Sequence, residues 1–248
     1  MYFYHLFLLP HWGFMINHYG FNKSRPALSF IPPTTVIGAI SYPLNKLLRG
    51  PECYGEYSGA EAYRGIFKSI NVKQPFLSVY HDLSKVLFMY RGEAKFDAVA
   101  VGKLYKSLKE PIEVILIVDE NFAKKLLGNN WKDLLRVACT SITRLGAKES
   151  IVTPLEVKEG TPELIQDRVI RTSFSFPSYS VRSISGSYIA GDVVDWKYIN
   201  IGPYVGKKTV GYITPLPIHT SSHNGVEVEI AEGYYAYRCG REVIIPWS

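Results

Sequence analysis

Acidic residues are missing from the start of this 248-residue chain: no Asp or Glu occurs before Glu52, whereas Lys23, Arg25, Lys46 and Arg49 fall in that stretch. Cysteine is nearly as scarce. Cys53, Cys139 and Cys239 stand far apart, which offers neither a disulfide framework nor a CxxC metal knuckle and suits a reducing, cytoplasmic setting. Long apolar runs are absent too. The opening MYFYHLFLLP lacks the basic start and small-residue cleavage site of a signal peptide, and Pro10 stops it short of a membrane span, so no membrane partner is expected. No GxSxG motif is present, which removes one nucleophile signature. Only two Gln occur, and with many Ile, Val, Lys and Tyr this leans toward a thermophile.

What is there is a globular composition with unevenly placed charge. Hydrophobic residues make up 47% and charged ones 20%, enough to bury a core. Aromatics reach 14%, and such rings need somewhere to pack or stack. The net charge of +6 concentrates in stretches free of Asp and Glu. Besides the N-terminal one, Arg168 to Gly191 carries Arg168, Arg171 and Arg182 among many Ser, Thr and Tyr, and Trp196 to Val226 carries Lys197, Lys207 and Lys208. Cations interleaved with hydroxyls and rings suit a flexible phosphodiester strand, whose phosphates take the charge and whose bases stack. The same pattern is also met on a plain solvated face.

Periodicity predicts a buried strand over Tyr2 to Leu9, a long loop from Pro10 to Ile31, and a helix set up by Pro32 and Pro33 with Thr34 or Thr35 as its cap and a kink at Pro43. Strands are expected over Ile66 to Val72, Phe76 to His81, Val86 to Tyr90 and Glu113 to Val118. Lys85, Arg91, Lys95, Lys103, Lys106 and Lys109 fall in or around a hairpin arm. Two helical pieces follow, Phe122 to Leu127 and Trp131 to Cys139, broken at Gly128-Asn129-Asn130. Strand, helix, strands, helix and strand is the order of a ferredoxin-like domain. The expectation is an α+β fold: residues 1–155 a ferredoxin-like domain with an inserted hairpin arm, and 156–248 a smaller β-rich region.

Two segments match a known family. Pro32-Pro33-Thr34-Thr35-Val36-Ile37-Gly38-Ala39-Ile40 and Arg144-Leu145-Gly146-Ala147-Lys148-Glu149-Ser150, in that order and separation, resemble the fifth CRISPR-associated family of RAMP proteins, more narrowly its archaeal type I-A form. The resemblance implies an RRM-like domain with a β-hairpin thumb that caps the 5′ handle of CRISPR RNA, seeds the Cascade backbone filament and contacts the backbone RAMP subunit. The large Cascade subunit and, through the complex, target DNA are further implied partners. An unpaired handle is held by stacking its bases while cations hold its phosphates. Trp12, Phe14, His18, Tyr19 and Phe21 are candidate planes, packing in the core being the alternative for each, and Lys23 and Arg25 supply charge. At the glycine turn, Gly146 permits close backbone approach between Arg144 and Lys148. Arg171 and Arg182 complete the candidate RNA-binding set.

A cutting relative is the alternative, since type I-C members of the family cleave precursor RNA without metal. That chemistry needs a base and an acid or cation, for which Tyr42, His81 and Lys85 are the candidates by type. A generic RRM-like RNA-binding module is the third reading. No cofactor is implied. His219 and His223 have i, i+4 spacing, but Pro215, Pro217 and Asn224-Gly225 make the segment a loop, which argues against metal. GPYVGKKT at 202–209 is one residue short of a P-loop and leads into a strand, not the required helix.

Overall fold

The computed structural model describes residues 1–11, 13–16, 28–51, 53–54, 57–75, 77–107, 110–147, 150–197, 208–216 and 225–247. The chain opens with β1 (Tyr2–Pro10) and α1 (Pro33–Leu48), followed by a small ladder, β2 (Cys53–Tyr54) with β3 (Tyr57–Ser58). Then come β4 (Phe67–Lys73), the hairpin β5 (Leu77–Tyr90) and β6 (Glu93–Ser107), β7 (Ile112–Val118), α2 (Glu120–Leu127), α3 (Trp131–Thr140) and β8 (Val152–Gly160). Four of these strands form one antiparallel sheet in the order β4-β7-β1-β8. α1 crosses over from β1 to β4, and α2 with α3 from β7 to β8, so consecutive crossovers interleave the strands.

Residue chemistry fixes these elements locally. β1 and β7 are both central and apolar almost throughout, because side chains on either face meet protein. Tyr4, Leu6 and Leu8 point to the helices with Val114, Leu116 and Val118, joined there by Ile37, Ile40, Leu44, Leu135 and Ala138. α1 starts at Pro33 with Pro32 as cap and no capping side chain, not at a threonine cap as expected. Proline's fixed φ and missing N–H already suit the first helical position. The helix continues through Pro43 and closes on Arg49, a left-handed residue at φ 54°. α2 does have a side-chain cap: Asp119 Oδ1 accepts from the Asn121 and Phe122 amides at 3.0 and 3.1 Å. The two strand pieces read at 76–81 and 86–90 are one long strand, β5, whose register with β6 shifts once, between Tyr80 and Asp82. The hairpin is a sheet of its own, turning at Arg91 and Gly92, both with positive φ.

The remaining strands are short: β9 (Glu163–Ile165), β10 (Val169–Thr172), β11 (Phe176–Pro177), β12 (Val181–Ser185), β13 (Tyr188–Val194), β14 (Thr209–Pro215), β15 (Val226–Ile230), β16 (Ala236–Cys239) and β17 (Glu242–Ile244). They form three three-stranded sheets, β10-β15-β12, β11-β14-β13 and β17-β16-β9. A boundary after residue 155 falls inside β8, and the region beyond shares the core of what precedes it. Phe174, Tyr237, Cys239 and Ile244 pack on Phe3, Ile115 and Ile117, the face of the four-stranded sheet turned away from the helices.

The same region clamps the β4 edge. Asn71 Nδ2 donates to the Ser175 and Ile245 carbonyls at 2.8 and 2.7 Å, Val72 and Ser175 exchange two further bonds, and the Trp247 amide donates to Ser69 Oγ at 3.0 Å. At the other edge, β8 carries Pro154, a register shift against β1 between Phe7 and Leu8, and the exposed charges Glu156 and Lys158. Those features discourage pairing with a foreign strand. No helix among the described residues is long and apolar enough to cross a membrane.

Candidate nucleic-acid interface

Of the two segments that carry the family resemblance, the glycine turn is met not by Pro32–Ile40 but by the start of the loop that leads to it from β1. β1 runs out at Pro10, and the described residues that follow, 11 and 13–16, lie over the glycine turn. His11 N–H donates to the Ile151 carbonyl at 3.1 Å and its ring pairs with Thr153 Oγ1 at 2.8 Å. The Ala147 amide donates to the Met15 carbonyl at 2.9 Å, and the Met15 amide to Ser150 Oγ at 2.8 Å. Within the turn, Leu145 and Ser150 bond to each other's neighbourhood: Leu145 N–H to Ser150 O and Ser150 N–H to Ala147 O, both 2.9 Å. A single bridge, Arg144 opposite Ile151, closes it.

Gly146 is required here for a reason different from the expected one. Its φ is +118°, a conformation L side chains rarely adopt, and an added Cβ would lie 2.6 Å from the Met15 carbonyl oxygen. The close approach is to the protein's own backbone. Arg144 stands exposed on this turn, while Leu145 and Ile142 are buried beneath it. Phe14, one of the candidate stacking rings, is fully buried and belongs to the core. Trp12, His18, Tyr19, Phe21, Lys23, Arg25 and Lys148 lie outside the described residues.

Arg171 and Arg182 belong to another sheet and have company that the sequence concealed. Arg171 sits opposite Glu227 in the β10–β15 register. Arg182 reaches Glu232 at 3.3 Å and Glu229 at 4.0 Å. A stretch free of carboxylates in sequence is therefore not so in space, because pairing with β15 sets Glu227 and Glu229 beside it. Lys197, from the third acid-free stretch, is turned inward: its ammonium donates to the Trp247 carbonyl at 2.7 Å, and burial, with Lys68 nearby, pulls its pKa down to about 8 against the opposing pull of Asp195. Arg64 binds the same bend, donating to the Trp196 and Lys197 carbonyls at 3.0 and 2.7 Å.

The catalytic candidates are spread over separate elements. Tyr42 is exposed on α1 with the Lys46 ammonium 5.4 Å from its ring centre. His81 and Lys85 fall on β5 of the hairpin. Among the described residues no cluster of three metal-ligating side chains occurs, and the His219 and His223 pair lies outside them. The titratable group that sequence reasoning missed is buried on the sheet face opposite the helices. His5 Nε2 meets Glu113 at 2.8 Å, Lys73 meets the other Glu113 oxygen at 2.8 Å, and Glu242 lies 3.5 Å from Lys73. Burial works against the charged Glu113 carboxylate, but the bonds from His5 and Lys73 outweigh it and hold its pKa below the ordinary range. A lone His and a lone Glu in apolar strands were the available signal.

No family model matches the chain. Two curated proteins of Saccharolobus solfataricus are similar over 97% of both sequences: a subunit described as "CRISPR system aCascade subunit Cas5 1", 26% identical over 253 residues, and "CRISPR-associated protein Cas5 3", 24% identical over 251. The crystal structure of a CRISPR protein from Archaeoglobus fulgidus superposes over the whole of both chains with a TM-score of 0.69 at 22% identity. The likeness runs the full length, including the β-rich C-terminal region.

Proposed function

We propose that this chain, whose kinship in sequence is with the Cas5 subunits of CRISPR systems, is a non-catalytic part of an archaeal Cascade that grips the 5′ handle of CRISPR RNA and seeds the backbone filament. The carrying observation is the docking of segment 11–16 on the glycine turn, which puts the start of the basic N-terminal loop and exposed Arg144 at one end of β1. A loop whose sequence is basic and ring-rich, and whose start meets a turn bearing an exposed arginine, has the parts an unpaired strand needs. The sheet order and its two crossovers suit a ferredoxin-like RAMP domain, with residues 156–248, which begin inside β8, as the smaller β-rich region. The long β5–β6 hairpin, a sheet apart, suits a thumb that engages the backbone subunit. The large Cascade subunit and target DNA are then neighbours through the assembly.

A generic RRM-like module would stack bases on the open face of its sheet. Here Phe174, Tyr237 and Ile244 cover that face, which favours recognition by loops. The endoribonuclease reading needs Tyr42, His81 and Lys85 to converge from α1 and the hairpin. One gel separates the readings: pure protein is incubated in EDTA with a repeat RNA labelled at one end. Binding without cleavage is expected, and metal-independent cutting at one position, abolished by His81→Ala or Tyr42→Phe, sinks the non-catalytic reading. In the same binding assay Arg144→Ala weakens the complex and reduces the log–log salt slope by roughly 0.7, the value of one phosphate contact on a single strand.

A further inference from the structure

Between the turn at Ser178–Ser180 and the start of β14 lies a cleft of about 420 Å³, a volume within the range of small-ligand sites. Ser178, Tyr179, Asp195, Lys208 and Tyr234 line it. The Tyr179 and Tyr234 rings stand 5.6 Å apart at 45°, and Tyr179 keeps 39% of its surface exposed. Asp195 differs from every other carboxylate described. It is 3% exposed, makes no ion pair among the described residues, and accepts at Oδ1 one amide bond, from Lys197 at 3.3 Å. Its Oδ2 has no hydrogen-bond partner among them. The nearest ammonium on its own segment, that of Lys197, is spent on the Trp247 carbonyl.

Asp195 lines the cleft, and its Oδ2 is not among the enclosed side-chain atoms left without a partner, so it keeps contact with the open space there. It therefore offers a fixed acceptor to a ligand that brings N–H groups. The exposed Tyr179 ring, with Tyr234 beside it, suits a planar partner, since stacking on aromatic side chains needs only a π face. Lys208, exposed on the rim, disfavours a cationic ligand and favours one that carries phosphate. Among the bases, guanine alone sets two N–H donors side by side, N1–H and the exocyclic amine, matching both oxygens of a carboxylate. Adenine and cytosine present an acceptor nitrogen beside the amine, and uracil a single N–H between carbonyls.

We propose that this cleft receives one guanine base of a single-stranded nucleic acid, stacked on the Tyr179 ring with Tyr234 beside it, read by the Asp195 carboxylate, with its phosphate toward Lys208. The idea rests on the RNA-holding function proposed above and adds a base preference to it. Fluorescence anisotropy of the full chain with labelled octamers tests it: all-uridine, one central guanosine, the same with inosine, which lacks the exocyclic amine, and the deoxy forms of each. The guanosine strand should bind about tenfold more tightly than all-uridine, the order of a bidentate base contact, with inosine between them. Asp195→Asn should erase the preference, Tyr179→Ala should weaken guanosine binding and Tyr179→Phe should keep it.

Equal binding of guanosine, inosine and uridine strands by the wild-type chain overturns the guanine site while leaving RNA holding intact, and this comparison decides the matter even if Asp195→Asn does not fold. Failure to bind any strand overturns both proposals. Binding of N-acetyl-arginine amide that depends on Asp195, with no guanosine preference, makes the cleft a cation site and overturns the guanine one. A preference shared by the deoxy strands upholds the site for either nucleic acid, and one confined to ribose strands upholds it for RNA.

Discussion

Gly146 shows what one residue type can and cannot disclose. A glycine flanked by Arg and Lys is visible in the sequence as a place where backbone is approached closely; that the approaching group is the Met15 carbonyl is not, since it comes from the far end of β1. The consequence is mechanical. Gly146→Ala forces a side chain into a φ of +118° and onto a carbonyl oxygen, and should cost about 1–3 kcal/mol, read as a lower thermal midpoint. Because the turn also positions Arg144, RNA affinity should fall with it even where the variant is folded. Full stability in Gly146→Ala would mean that the 11–16 segment can move off the turn at little cost. Phe14 and Arg182 carry the same lesson in reverse: a ring and a cation of the right type are taken up by core and by carboxylates.

At the scale of elements, apolar runs were plain in the sequence and pairings were not. β1, β7, α2 and α3 follow from composition and period within a residue or two of each end, because their burial is continuous or strictly one-sided. β5 looks like two pieces in the sequence because its polar middle, Asp82 to Lys85, interrupts an apolar signal that its pairing with β6 does not need. Cross-strand neighbours such as Arg171 and Glu227 depend on register between segments far apart in the chain, which no local pattern encodes.

The contact between β1, β4 and β7 makes a pH prediction at this scale. Glu113, held low by His5 and Lys73 despite its burial, contributes stability that is present above the ordinary carboxylate pKa of about 4.3 and lost as pH falls through its lower folded value. Urea midpoints should therefore separate wild type from Glu113→Gln by about 1–3 kcal/mol at pH 7, with the gap closing toward pH 3. A gap independent of pH would assign the effect to packing.

For the whole molecule, the β-rich region after β8 acts as the second cover of the sheet. It supplies Phe174, Tyr237 and Ile244 over Phe3, Ile115 and Ile117, and residues 245–247 along the β4 edge. Each of those sheet residues, once uncovered, forfeits roughly 1.5–3 kcal/mol of burial. A chain cut after Gly160 should be insoluble or protease-sensitive, and a soluble, protected fragment 1–160 would show that the sheet stands without its cover. The clamp on β4 also has a bearing on time. A ribosome working at 5–20 residues per second needs roughly 4–17 s to add everything from 161 to 247, and for that interval the finished sheet waits with one greasy side bare. Until the last tryptophan arrives to shut the seam, that apolar face is open to solvent and to other chains.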